Sequence, residues 1–447
     1  AKAADAKNNS AVAKYRIRNS ASGVAALAEA DFAYSEGVLS WMPVRRVSQY
    51  KVTLPDGATK TTAATSAEIT FAKAGKNTIS LQYNDRYSNL TTANYSVEAY
   101  AVVFQTGGSA VATQYKAVGD IVVLPDGENA PVKVGYDFAA WYNGEDTTSA
   151  VQYGSSFRLE QAATAYVYAG WTPKEYDVTL VAGEYGEELP AEKSTVTVAY
   201  KQMDTVFTVP AVGGDKSKLF LGWYSEPNGQ GQRFANQYGV MTKGYDMPYD
   251  STMYAYFVTA FEFDANLVDS QTGEVKSYSV KKGPEIGLFK NETVTIPAYY
   301  NGKRVDLIET FAFSECEFGV IEIPSTVRTI ELITGGLGSA FSECDELEAI
   351  NVYYAEGALA GETRYFSDDG VLYFNNEDYV EDPATCEKTE LAYVPMAKTG
   401  TIYIPEGVDI IPMGTLGSFD NGETSYKASH DFDKVVIPYT VTTIQEQ

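Results

Sequence analysis

A few short words that recur along the C-terminal part of the chain limit its fold more than any other feature. "FAFSEC" (Phe311–Cys316) returns as "AFSEC" (Ala340–Cys344), and "VTIP", "IEIP", "IYIP" and "VVIP" end at Pro297, Pro324, Pro405 and Pro438. The first two prolines lie 27 positions apart (324 − 297) and the first two cysteines 28 (344 − 316). A unit of that length, built on one short Val/Ile strand, cannot enclose a core of its own. Copies must stack, each burying its inward residues against the coils above and below. "LEAINV" (Leu347–Val352) occupies the corresponding place without the proline.

In such a stack equivalent positions lie over one another. Ala312 and Ala340 need to be small, Phe313 and Phe341 fill the interior, and Cys316 and Cys344 close the turn as small hydrophobes. A disulfide between these two demands a narrow geometry and would leave the third cysteine, Cys386, unpaired. A metal site would lack both a nearby His and a C-x-x-C pair. The thiols therefore read as structural. The words "IPAYYNGKRVDLIETFAFSEC" and "IPSTVRTIELITGGLGSAFSEC" resemble the BspA-type leucine-rich repeat of bacterial surface proteins, whose unit reads Ile-Pro, Val-x-x-Ile, Ala-Phe-x-x-Cys. "DGVLYFNNEDY" and "ELAYVPMAKTGTIYIPEGVDII" match a longer variant coil of that family. The resemblance covers 259–447 and implies a leucine-rich-repeat solenoid. It departs at "ITGGLGS" (Ile333–Ser339), which replaces a shorter turn, and at Ser418, which stands where Ala is expected. "IPYTVTTIQEQ" is half a coil, which either continues in a longer parent protein or acts as a cap.

A second, longer repetition precedes the first. "YAVVFQTGG" starts at Tyr100 and "YDVTLVAGE" at Tyr176; "FAAWYNG" starts at Phe138 and "FLGWYSEPNG" at Phe220; "VYAGW" starts at Val167 and "MYAYF" at Met253. The offsets are 76 (176 − 100), 82 (220 − 138) and 86 (253 − 167), so the second copy carries loop insertions. Both copies resemble the Listeria–Bacteroides repeat, also called the internalin B-repeat, which implies two β-grasp-like spacer modules at 99–173 and 174–258. Ala139-Ala140 and Phe257 depart from the usual residues of that pattern. Trp141-Tyr142 and Trp223-Tyr224 read as a core Trp with a half-exposed Tyr, against the alternative of a sugar-stacking platform.

Upstream, "GVLSWMPVRRVSQYKVTLPDG" alternates Leu39 with Trp41 and Tyr50 with Val52 and Leu54. "EITF" and "TISLQY" then point Ile69, Phe71, Ile79 and Leu81 inward. Short alternating strands at this density predict a β-sandwich at 15–98, and the Leu39-x-Trp41 order resembles a fibronectin type III or immunoglobulin-like domain. Residues 1–14 read as a disordered lead-in. The whole chain is thus expected to be mainly β and multidomain. Its 34 Tyr, 37 Gly and frequent turn pairs agree, and no long 3.6-period apolar stripe is present.

Composition removes several functions. The formal charge of −25 repels phosphate backbones, so no nucleic-acid partner is expected. No apolar run is long enough to span a bilayer. The chain opens "AKAADAKNNS", as a mature secreted or trimmed chain does. The single His, His430, lies between Ser429 and Asp431, and neighbours on an extended backbone point to opposite faces, which argues against a triad. No cofactor is expected. "GQGQRF" and "TGGLG" read as turns, not phosphate loops, and no EF-hand spacing occurs in the acidic insertions at 353–370 and 375–390. No sortase-type Leu-Pro-x-Thr-Gly word occurs.

The expected binding surface is the strand face of the solenoid. The middle residue of each aligned strand word points away from the core: Thr295, Glu322, Asn351, Tyr403 and Val436. The sequence reading is a monomeric, non-catalytic adhesion or interaction protein, extracellular or on the bacterial cell surface, with the solenoid as head and the other modules as stalk. Its partner would be a protein or glycan on a host or neighbouring cell. The alternative is an accessory carbohydrate-binding protein that uses exposed aromatics. A paired-carboxylate glycosidase is the enzymatic reading, made available by 59 acidic residues but disfavoured by modules whose families are non-catalytic.

Overall fold

The computed structural model describes residues 25–86, 88–332, 339–358, 364–376, 388–412, 414–416 and 432–445. The expected lead-in at 1–14 lies outside them. Among the described residues there is no α-helix, only short 3-10 turns between strands. The chain divides into two compact units, Ala1–Lys174 and Glu175–Gln447.

In the first unit, β1 (Phe32–Ser35), β2 (Val38–Trp41) and β5 (Ser66–Glu68) form one sheet. A larger sheet contains β3 (Tyr50–Thr53), β4 (Thr59–Thr62), β6 (Gly75–Asn84) and β7 (Leu90–Thr106). Phe32, Leu39, Trp41 and Ala67 from the first share a core with Tyr50, Val52, Ile79 and Leu81 from the second. Ile69 is buried as expected, but its strand ends one residue earlier, and the Ile69 amide instead donates to the Gly37 carbonyl at 2.7 Å.

β7 is 17 residues long. It pairs with β6 from Leu90 to Ala99, and from Tyr100 with β8 (Ser109–Lys116). It also pairs in parallel with β12 (Ala165–Pro173). The boundary read at 98/99 therefore falls in mid-strand. No Gly or Pro interrupts Leu90–Thr106, so nothing stops the pleat from running from one module into the next. A buried carboxylate fastens the same junction. Asp120 accepts from the Tyr34 hydroxyl at 2.8 Å and from the Gly37 and Ala117 amides, each at 2.9 Å. β9 (Ile121–Val123) and β11 (Ser156–Arg158) close this end, and β10 (Tyr136–Tyr142) flanks β12.

The second unit opens with the same topology again. β13 (Glu175–Val181) pairs antiparallel with β14 (Thr195–Ala199) and parallel with β17 (Ser251–Thr259). β15 (Lys218–Tyr224) lies antiparallel to β17, with β16 (Arg233–Ala235) outside it. The registers coincide: Phe138↔Trp171 corresponds to Phe220↔Phe257, and Trp141↔Ala169 to Trp223↔Ala255, with a bulge after the Phe in each.

The chain then winds into stacked rungs. β18 (Phe261–Val268) and β19 (Val275–Lys282) form a hairpin. β22 (Lys303–Ile308) lies parallel on β19, with β21 (Tyr299–Tyr300) against it and β24 (Thr329–Ile330) parallel beyond. Across the core, β20 (Thr293–Thr295), β23 (Val320–Pro324) and β25 (Ala349–Tyr353) stack in parallel. The turns stack too: the Phe313 amide donates to Ala340 O at 2.8 Å and the Glu315 amide to Ser342 O at 2.9 Å. The Phe313 and Phe341 rings lie 6.1 Å apart and nearly parallel. After β25 comes a sheet of β26 (Tyr365–Asp368), β27 (Val371–Asn376), β28 (Lys388–Tyr393), β30 (Ile410–Ile411) and β32 (Thr443–Ile444). β29 (Gly400–Tyr403) and β31 (Phe432–Val436) pair in parallel beside it.

Candidate functional site

The three stacked strands place their middle residues in one column. Thr295 is in register with Glu322, and Glu322 with Asn351. The flanking Val294, Ile296, Ile321, Ile323 and Ile350 are wholly buried, because in a pleated strand alternate side chains must point to opposite faces. That leaves Thr295 and Glu322 half-exposed and Asn351 exposed on the outer face. The Thr295 hydroxyl donates to Glu322 Oε2 at 2.6 Å, which holds the carboxylate against the sheet.

Sequence reading missed one member of this face. Tyr353 is in register with Pro324, where other rungs carry the proline, and its hydroxyl donates across the sheet to Ile296 O at 2.6 Å. Alternation alone would have found it, since it lies two residues after Asn351. Burial, and then the nearby Glu322 charge, push the Tyr353 phenol up to about 12. The phenol therefore stays protonated and keeps its bond to Ile296 O. Tyr354 beside it is 81% exposed.

Tyr403 and Val436 do not join this column. They face each other in the separate pair β29–β31, with Tyr403 65% exposed. The next strand place after β25 is filled by the β26–β27 hairpin. The Ile350 amide donates to Gly370 O at 2.9 Å and the Val352 amide to Ser367 Oγ at 2.8 Å. The fit is tight, since a Cβ on Gly370 would sit 2.6 Å from that of Ala349. Asn351 and Tyr403 are 52 positions apart (403 − 351), about twice the earlier spacing, and the extra length carries its own hairpin. The surplus chain therefore takes the open edge that a regular rung would have used.

Other chemistry-bearing side chains are committed to packing. Trp141 and Trp223 are buried and donate to Pro125 O at 2.8 Å and Thr208 O at 3.2 Å, so neither ring is open for stacking on a sugar. Tyr142 lies over Gly170, and Tyr224 meets Tyr256 edge-on at 5.5 Å. Cys316 and Cys344 are free thiols and buried. The Cys344 thiol donates to Phe313 O at 2.9 Å. A hydrogen bond with Cys344, and then burial, push the Cys316 thiol far above its usual range. His430, Ser429, Asp431, Cys386 and the parts 359–363 and 377–387 of the two acidic insertions lie outside the described residues. Among the described residues no three His, Cys, Asp or Glu side chains are grouped to hold a metal ion. No helix among them is long and apolar enough to cross a membrane.

Residues 100–173 match the Listeria-Bacteroides repeat domain. That repeat occurs in bacterial surface proteins. No curated protein sequence matches the chain.

Proposed function

We propose that this chain is a non-catalytic interaction protein, displayed on or secreted from a bacterial cell, whose stacked rungs bind a protein on a host or neighbouring cell. The rungs of 259–447 are read as a leucine-rich-repeat solenoid of the BspA type. The register shared with the first module supports reading 174–258 as a second copy of the Listeria–Bacteroides repeat, and the core shared by two N-terminal sheets supports reading 15–98 as an immunoglobulin-like or fibronectin type III-like sandwich. The observation that carries the reading is the column Thr295–Glu322–Asn351. Its side chains stand on an ordered sheet whose opposite face is fully packed, so the fold does not consume them. The commitment of Trp141, Trp223, Cys316 and Cys344 to packing supports a non-catalytic role. The burial of Trp141 and Trp223 also takes the two module tryptophans from the carbohydrate alternative, which is left to rest on exposed tyrosines such as Tyr354 and Tyr403.

The test is solid-phase binding of the full chain, and of a Glu322→Ala/Asn351→Ala variant, to panels of extracellular-matrix proteins and glycans, with and without soluble glycan. The expected result is binding to a protein that falls at least about ten-fold in the variant and resists glycan competition. Undiminished binding by the variant would remove the column from the site. Abolition by soluble glycan would favour the carbohydrate reading.

A further inference from the structure

An open stack of rungs has an end. The first rung exposes backbone edges and apolar residues on the side where no earlier rung lies, and repeat arrays stay soluble only when that side is covered. Here the first rung contains Phe261, Val280, Ile286, Phe289 and Val294, all buried. What buries them includes the preceding β-grasp-like module. Leu221 on β15 and Val258 on β17, 3% and 0% exposed, belong to the same continuous core as the rungs, and Leu219, Tyr224 and Tyr256 pack against it.

Polar contacts fasten the two parts at the same place. Both guanidinium Nη atoms of Arg233 bind the carboxylate of Glu292, the residue before β20, one of them at 2.9 Å. The Thr259 amide donates to Glu285 Oε2 at 2.6 Å, and the Glu285 amide returns a bond to Thr259 O at 3.1 Å. Gly283 lies so close that a Cβ there would come within 2.6 Å of Thr259 O. A flexible spacer has no use for contacts of this kind.

The first module supplies the comparison that decides between a family trait and a specific adaptation. By register, Leu219 and Val258 correspond to Asp137 and Thr172, and Leu221 to Ala139. Asp137, Ala139 and Thr172 are all exposed. The shared fold therefore does not require an apolar face at these positions, yet the copy next to the rungs has one. We infer that the second module, Glu175–Thr259, is the end cap of the rung stack and a structural part of it, not a free spacer. Its partner is the first rung of this same chain.

The experiment is hydrogen exchange with peptide-level mass spectrometry on the full chain. The variants are Leu221→Glu, Arg233→Ala, and Ala139→Glu as the matched control in the first module. The expected result is exchange about ten-fold or more faster across 261–316 in the Leu221 and Arg233 variants. The Ala139 variant should match the parent throughout. Should Leu221→Glu unfold its own module, seen as lost protection in β13 and β14, the rung peptides still decide. Rungs deprotected with it support the cap, whereas rungs still protected overturn it. Rung exchange within two-fold of the parent in both the Leu221 and Arg233 variants would also overturn it.

Discussion

Phe341 lies under Phe313 with rings nearly parallel, and Cys344 beneath Cys316 donates its proton to the carbonyl of that same phenylalanine. Equivalent residues of neighbouring rungs thus satisfy each other, which is why "AFSEC" is repeated as a word. Truncating Phe341 should leave a cavity bounded by neighbours that cannot collapse, at a cost of about 3–5 kcal/mol. Tyr403→Ala, at an exposed ring, should stay within about 0.5 kcal/mol. Denaturant unfolding followed by a probe in the rungs would separate the two. The thiols make a second prediction. A disulfide reagent must reach the sulfur it reacts with, and both sulfurs are sealed inside the stack, with Cys316 4% and Cys344 0% exposed. In a Cys386→Ser chain at pH 8, an aromatic disulfide reagent should label neither thiol until denaturant is added, and then both.

Strands and hairpins carry the next level of consequence. Glu322→Ala on β23 removes the bond from Thr295 but buries nothing new, so the loss of stability should be under about 1 kcal/mol while binding falls. A larger fall in thermal stability would mean that the column is structural. At the β18–β19 hairpin, Glu274 contacts Lys276 and also Lys303 on β22, the latter at 2.6 Å. Hydrogen bonds with these two lysines hold its carboxyl down to about 2, from an ordinary 4.5. A depressed folded-state pKa stabilises the fold above the unfolded value and loses that contribution as pH falls through the folded one. The difference in hairpin exchange between parent and Glu274→Gln should therefore be constant near neutrality and vanish as pH drops from about 4.5 to about 2. Added salt should shrink it at every pH, because the carboxylate is exposed.

On the scale of the molecule, the contacts at Leu221, Val258, Arg233 and Glu285 say where the chain can be divided. A fragment spanning 175–447 keeps the first rung covered and should unfold cooperatively and resist protease. One starting at 258 uncovers Phe261 and Val280 and should be cleaved rapidly in the first rung. Limited proteolysis of the two fragments side by side would show it. Equal resistance would mean that the rungs need no cover. Within the first unit, the unbroken β7 and the buried Asp120 predict that no protease site opens between Glu98 and Tyr100 before the unit unfolds.

Much of this was legible from local pattern. Alternation within a strand is imposed by covalent geometry, so the buried and exposed faces at Val294–Ile296 and Ile321–Ile323 could be read residue by residue. Words repeated at equal spacing must stack, so the register of Thr295, Glu322 and Asn351 followed, as did the burial of both tryptophans at matching module positions. Other features depend on which segment wins an edge or a face, and that contest is settled by residues far apart in the chain. The β26–β27 hairpin takes the place beside β25 and strands Tyr403 in another sheet. β7 runs through a boundary that looked natural, and Leu221 is apolar because of a rung that begins 40 positions later, at Phe261 (261 − 221). A local period records which way a side chain points, but it carries no record of what will cover it.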